Sequence, residues 1–309
     1  MKKVFIDGSA GTTGLRIYER LANREDVEIL ALPEDKRKDV EAKKEIINQA
    51  DVVFLCLPDD AARESVTLVE NENVVVIDAS TAHRTLPDWA YGFPELSKAH
   101  EEKILSSKRI AVPGCHASGF IALVYPLVEA GLLDKDALLT CHSITGYSGG
   151  GKKMIAEYEN EGRNSLLDAP RQYALGQTHK HLKEMKALTG LENEPMFSPI
   201  VADFYSGMVV TVPLFKKQLK TGGKDEIIAL YKAKYNNDFV KYEESLSEDG
   251  LISGLQVAGK DCMRVSVLGN EERILLVAAY DNLGKGASGA AVECMNLALG
   301  VEREKGLVL

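Results

Sequence analysis

Thiols and imidazoles are the groups in this chain that can attack an acyl carbon or carry a proton near neutral pH, and its 309 residues include five cysteines and six histidines. One cysteine stands apart by its setting. In Arg109-Ile-Ala-Val-Pro-Gly-Cys115-His-Ala-Ser-Gly, followed by FIALVYPLVEAGLL, a strand runs through a Pro-Gly turn into an apolar helix that opens on Cys115. The positive end of a helix dipole favours thiolate over thiol, and that is how a nucleophile is made. Cys56, Cys141, Cys262 and Cys294 read instead as small buried hydrophobes. The dipeptides Cys115-His116 and Cys141-His142 invite a metal reading. Adjacent residues seldom chelate one ion together, however, no CxxC pair is present, and no metal is expected.

A thiolate catalyst needs an acid/base partner, and the candidates are His179 and His181 in Gln177-Thr-His-Lys-His-Leu-Lys-Glu-Met. The segment reads as the start of a helix, where the two rings point in roughly opposite directions. One can then face the cysteine, leaving the other to substrate binding or structure; as plain surface histidines they would do neither. Arg84, in Asp78-Ala-Ser-Thr-Ala-His-Arg84, follows a strand end and is suited to grip a phosphate or carboxylate with two parallel N–H bonds, or to form an ordinary surface ion pair. Ser148-Gly149-Gly-Gly-Lys152 and Asn282-Leu-Gly284-Lys-Gly286 are glycine-rich turns with a lysine, each able to meet an anion or to serve only as a loop.

The elements that must position these groups begin with Gly8-Ser9-Ala10-Gly11-Thr12-Thr13-Gly14, between a strand and an apparent helix, LRIYERLAN. Such a turn offers backbone N–H groups and a helix N-terminus to the pyrophosphate of a dinucleotide. Its spacing is GxxGxxG, not the usual GxGxxG, and a tight structural turn is the plainer alternative. The second strand runs into Leu32-Pro33-Glu34-Asp35 and then Lys36-Arg37-Lys38, basic where a reader of NAD carries an acid. Arg37 and its neighbours suit a 2′-phosphate, which points to NADP, unless they are the chance charges of a solvated loop.

Short apolar runs at 3–7, 27–32, 51–57, 74–77 and 109–112 alternate with amphipathic stretches, the rhythm of βαβ units in a parallel sheet. VVFLCL and NVVVID are apolar throughout, as strands covered by helices on both faces must be. After about residue 140 the strands lengthen and partly alternate (LLTCHSITG, YSGMVVTVPLF, MRVSVLG, RILLVAAY), which predicts an α+β unit with a mostly antiparallel sheet. The Gly-, Ala- and Met-rich stretch 286–299 is suited to close packing and is expected to return to the first domain. The fold class is thus α/β: a doubly wound parallel-sheet domain, 1–114 completed by 285–309, and an α+β domain with a mostly antiparallel sheet, 115–284.

A net charge of −9 with no concentrated basic patch argues against nucleic acid and anionic lipid as partners. No run approaches the length of a membrane span, so no membrane partner is expected either. MKKVFIDGSAGTTG turns to glycine too soon for a signal peptide, and the odd, scattered cysteines read as free thiols; both point to the cytoplasm.

Taken together and in order, GSAGTTG, DASTAHR, YGFPEL, VPGCHASG, SGGGK, HKHLKEM and DNLGKGASGAA resemble the N-acetyl-gamma-glutamyl-phosphate reductase family in its shorter type 2 form, from Gly8 to Gly300. The resemblance implies that 1–114 with 285–309 is a Rossmann-type domain and 115–284 an α+β catalytic and dimerisation domain, and it implies cytoplasmic arginine biosynthesis and NADPH-dependent reduction of a small acyl phosphate, N-acetylglutamyl 5-phosphate, to the 5-semialdehyde. A homodimer or homotetramer is expected. It implies a thioester on Cys115, His179 as acid/base, His181, Ser148 and Gly149 near the substrate, and Arg84 on the substrate phosphate. Asn282, Gly284 and Gly286 would lie near the nicotinamide and the 8–14 loop near the pyrophosphate. The longer type carries an aromatic residue and then Pro-Thr after its cysteine, where this chain has His-Ala-Ser-Gly. Rival readings are aspartate-semialdehyde dehydrogenase, with the same thiol chemistry on another substrate, and an NADP-binding redox sensor without turnover.

Overall fold

A computed structural model of the chain describes residues 1–36 and 39–309; Arg37 and Lys38 of the basic triplet lie outside the described residues. The chain divides into two compact units, 1–113 with 287–307, and 114–286 with 308–309.

The first unit holds strands β1 (Lys2–Asp7), β2 (Val27–Leu30), β3 (Val52–Leu55), β4 (Val75–Asp78), β5 (Ala90–Tyr91) and β6 (Arg109–Ala111), with helices α1 (Thr12–Leu21), α2 (Val40–Gln49), α3 (Asp59–Thr67) and α4 (Lys98–Ser106). All the strand pairings are parallel, in the order β2-β1-β3-β4-β6-β5. The unbroken apolar runs have a direct cause. Val4, Ile6, Val52, Phe54, Val75 and Ile77 turn to one side and pack with Ile17, Leu21 and Ile104. Phe5, Val53, Leu55, Val74 and Val76 turn to the other and pack with Ile47 and Ala62. Every position of β3 and β4 and the last four of β1 are therefore inside, and alternation disappears there.

The second unit holds β7 (Thr140–Gly146), β8 (Arg171–Gln172), β9 (Met196–Ala202), β10 (Met208–Phe215), β11 (Val240–Tyr242), β12 (Met263–Gly269) and β13 (Arg273–Tyr280), with α5 (Cys115–Glu129), α6 (Gly151–Tyr158), α7 (His181–Thr189) and α8 (Lys224–Lys234). The sheet order is β11-β12-β13-β10-β7-β9-β8, mixed but mostly antiparallel. One face, with Cys141, Ser143, Val210, Val212, Leu276 and Tyr280, is buried, and α5 lies on it. The opposite face is half open: Ile144, Met196, Phe215 and Leu275 are 42%, 64%, 54% and 39% exposed.

Helix α5 is apolar around its whole circumference, as a central helix must be. It nevertheless contains Pro126, which has no N–H to give the carbonyl of Ala122. The hydroxyl of Tyr235, fully buried at the end of α8, donates to that carbonyl at 2.6 Å, and Tyr231 does the same for Leu123.

The last helix, α9 (Gly289–Leu299), belongs to the first unit, where Ala290, Ala291, Val292, Cys294 and Met295 join the core beside β1 and β4. Arg24 fastens this return, donating to Asn296 at 2.6 Å and to the Lys305 carbonyl at 3.1 Å. Arg303 reaches both Glu95 and Glu293 at 2.5 Å.

Candidate active site

Gly114 is the N-cap of α5 and Cys115 its first residue, so the thiol sits where unpaired helix amides concentrate. Two contacts fix that end. The buried carboxylate of Glu184 accepts from the Gly114 N–H at 2.8 Å, and Tyr280 at the end of β13 donates to the Cys115 carbonyl while accepting from the Gly119 N–H at 3.0 Å. Gly119 is required there: a Cβ would stand 2.7 Å from the Tyr280 hydroxyl and 2.8 Å from Val210. Cys115 and, against expectation, Cys56 are partly exposed residues, while Cys141, Cys262 and Cys294 are buried; desolvation pushes the Cys56, Cys141 and Cys262 thiols up and holds them protonated.

Helix α7 starts at His181, so His179 precedes it, and the expected divergence of the two rings does not occur. Their centroids are 4.6 Å apart, and each lies against a third imidazole, that of His116, at 5.8 and 5.7 Å. The His179 Nδ1 accepts from the His181 N–H at 3.2 Å, the bond of a turn entering a helix. Phe197 of β9 packs edge-on against His116 and His179. His116 was the participant that sequence reasoning set aside. Its Nδ1 is 2.6 Å from the Ser143 hydroxyl and its Nε2 2.7 Å from the Tyr173 hydroxyl. Burial, followed by the charge of His179, lowers its pKa to about 3, so it is neutral at physiological pH. The signal available was its position one residue into a buried helix, where a polar ring needs partners.

The two glycine turns of the second unit meet. Asn282 donates to the Ser148 hydroxyl at 3.0 Å and accepts from the Gly207 N–H at 2.9 Å, and Gly149 lies beside the Asn282 amide. Asp281 builds the 282–286 turn: its carboxylate accepts from Leu283, Gly284, Ser206 and Gly259, and its carbonyl from Gly286 at 3.0 Å. A Cβ on Gly284 would meet the Lys260 carbonyl at 2.0 Å, a reason in packing. One on Gly286 would stand 3.2 Å from the Cys115 Cβ, so that glycine keeps the space beside the thiol clear.

In the first unit the helix after β1 begins at Thr12, which puts Thr12, Thr13 and Gly14 in its first turn and leaves Gly8, Ser9, Ala10 and Gly11 as the loop. Gly8 has φ +87°, and a Cβ there would lie 2.3 Å from the Cys56 carbonyl; one on Gly14 would lie 2.4 Å from the Gly8 carbonyl. The Thr12 hydroxyl is buried with no hydrogen-bond partner at the mouth of α1. A glycine cradle at a helix N-terminus with an unmet hydroxyl fits a dinucleotide phosphate. Arg84 is buried and donates to the carbonyls of Val112 at 2.8 Å and Ala79 at 3.0 Å. The preceding loop is braced by Asp78, whose carboxylate meets Ser80 at 2.7 Å and His83 at 2.6 Å, with His83 stacked on Trp89. Among the described residues, no group of three or more Cys, His, Asp or Glu is placed to hold a metal ion, and no helix is long and apolar enough to cross a membrane.

Comparison with known proteins agrees with this architecture. Residues 3–104 match the family profile described as semialdehyde dehydrogenase, NAD binding domain, and residues 115–282 the one described as semialdehyde dehydrogenase, dimerisation domain. The chain is 46% identical to the N-acetyl-gamma-glutamyl-phosphate reductase of a Chelativorans species, over 96% of this chain and 98% of that one. It is 43% identical to N-acetyl-gamma-glutamyl-phosphate reductase 2 of a Nostoc species, over 99% of each. Among solved structures, aspartate semialdehyde dehydrogenase II of Vibrio cholerae superposes with a TM-score of 0.70 at 16% identity, covering 97% of this chain and 98% of that one, a likeness of fold. Full-length similarity at this level establishes that the chain belongs to the N-acetyl-gamma-glutamyl-phosphate reductase family.

Proposed function

We propose that the protein reduces N-acetylglutamyl 5-phosphate to N-acetylglutamate 5-semialdehyde with release of phosphate, using NADPH, as a step of arginine biosynthesis in the cytoplasm. The observation that carries this reading is Cys115 as first residue of α5, held by Glu184 and Tyr280 and followed in the chain by an imidazole that packs on His179 and His181. The free state of all five cysteines suits a reducing compartment.

In this mechanism the Cys115 thiolate adds to the acyl carbon, the bond from that carbon to the phosphate oxygen breaks, and phosphate departs, leaving a thioester. Bound NADPH supplies the hydride that reduces it. His179 gives a proton to the resulting oxyanion and takes it back as the aldehyde leaves, which frees the thiolate. Arg84 is assigned to the substrate phosphate, and its anchorage on two carbonyls suits it to hold an anion without rearranging. Ser148, Gly149 and His181 are assigned to the substrate. Gly8 to Gly14 would hold the pyrophosphate, with the unmet Thr12 hydroxyl as a further donor. The joined turn of Asn282, Gly284 and Gly286 would face the nicotinamide.

The half-open sheet face gives the reading an oligomer. Strand register brings Ile144 and Ile200, and likewise Pro213 and Leu275, to that one face, an apolar surface suited to a second copy of the chain.

The test is phosphate-dependent reduction of NADP with N-acetylglutamate semialdehyde set against aspartate semialdehyde, for the wild type and Cys115→Ser. Turnover with the acetylated substrate, lost in the variant while nucleotide still binds, is expected. A preference for aspartate semialdehyde, or a fully active variant, would sink the proposal.

A further inference from the structure

Strand β8 ends early. Arg171 and Gln172 pair with Val201 and Ile200 of β9, and the Tyr173 N–H still donates to the Pro199 carbonyl at 3.0 Å. Continued in that register, the chain would set residue 175 opposite Phe197 and carry His179 past it by four residues, about 13 Å at the rise of a strand. Instead it turns back through Ala174 (φ +52°) and Gln177 (φ +53°), closed by the Gln177 N–H on the Ala174 carbonyl at 3.0 Å. The Gln177 side chain fills the place that the backbone has left. Its amide nitrogen donates to the Phe197 carbonyl at 2.7 Å, and its amide oxygen accepts from the Phe197 N–H at 2.8 Å. A main-chain N–H can only donate and a carbonyl only accept, so the direction of both bonds and the orientation of the amide are fixed.

This clamp does more than close a sheet edge. Both corners of the turn lie in the left-handed region, and neither is glycine. Glycine would hold the backbone at 177 with less strain, but it has no amide. The clamped residue also reaches the site. The Phe197 ring packs edge-on against His179, with centroids 5.2 Å apart, and against His116 at 5.3 Å. His179 lies just past Gln177 in the chain, so the backbone that leads to the imidazole and the phenyl ring that supports it are tied to each other by one amide.

We infer that Gln177 is a positioning residue for His179: standing in for a strand residue at the β9 edge, its amide fixes where that imidazole is held against Phe197. That His179 carries the proton rests on the reaction proposed above; the clamp does not.

Two measurements test it, and they fail separately. In protein labelled with 15N-histidine, Gln177→Met, which keeps the length of the side chain and neither bond, should move the ring signals of His179 and leave those of His83 and His100, in the first unit, where they are. In the phosphate-dependent assay, Gln177→Met and Gln177→Gly should each lower kcat about 10- to 100-fold with KM within about twofold, the scale of misplacing a proton-transfer group by about 1 Å. Ala174→Gly, which eases the other corner and keeps the clamp, should stay within about twofold of wild type. In a His179→Asn background, Gln177→Met should lower kcat by no more than about a further twofold, because the group it positions is gone. A role in stability alone would cost that background as much as the wild type. Unmoved His179 signals, full activity in Gln177→Gly, a loss confined to KM, or multiplicative losses in the double variant overturn the inference. A wild type without phosphate-dependent turnover would defeat the acid/base reading instead, leaving the ring signals to decide.

Discussion

At the scale of single residues, the site is organised by which polar groups are kept from water. His116 illustrates the cost. Its folded pKa of about 3 lies below the ordinary 6.5, so between those values the unfolded chain binds a proton that the folded chain refuses. The stability it contributes is complete above the ordinary value and is lost as pH falls through the window. Stability of wild type relative to His116→Phe in urea should therefore be greatest at about pH 7 and fall steadily with pH through the window from 6.5 toward about 3, with a slope of at most about 1.4 kcal/mol per pH unit. A gap that does not change with pH would place the ring in water. Asp26, held well below the usual carboxylate range by Arg24, also loses its contribution as acid is added, but at lower pH, so the two are separable.

At the scale of elements, α5 presents Cys115 because its neighbours compensate its irregularities. The missing N–H of Pro126 is met by Tyr235 from α8, and the first turn is held by Tyr280 from β13. Tyr235→Phe should lower unfolding free energy by about 1–2 kcal/mol in urea without changing the m-value, since it strands one buried carbonyl. An unchanged midpoint would mean that the carbonyl finds another donor. These relations also mark where sequence reasoning stopped. The helix from Cys115 was legible from composition, as were MRVSVLG and RILLVAAY, which coincide with β12 and β13. The parallel sheet was legible because doubly covered strands lose alternation. Hidden were contacts between residues far apart in the chain, such as Tyr173 with His116 and Asn282 with Ser148. The relative direction of the His179 and His181 rings was not legible, because helix α7 starts at His181 and directions reverse within a slip of two residues.

At the scale of the whole molecule, the second unit's sheet has one face filled by α5 and the other half open. Ile144→Glu or Leu275→Glu, each placing a charge on the open face, should shift sedimentation from dimer or tetramer toward monomer at micromolar protein while leaving the far-ultraviolet circular dichroism unchanged. Retention of the assembly in both variants would move the interface elsewhere.

The first unit is built from the two ends of the chain, with residues 287–307 closing what 1–113 began. During synthesis the ribosome must therefore release the chain through residue 307 before that layer can be sealed. A nascent chain stalled ahead of Ala287 would leave Val4, Ile6, Val75 and Ile77 without the helix that covers them, an adhesive surface that quality-control machinery would recognise. Emergence of α9 is in this sense the step that seals the first unit.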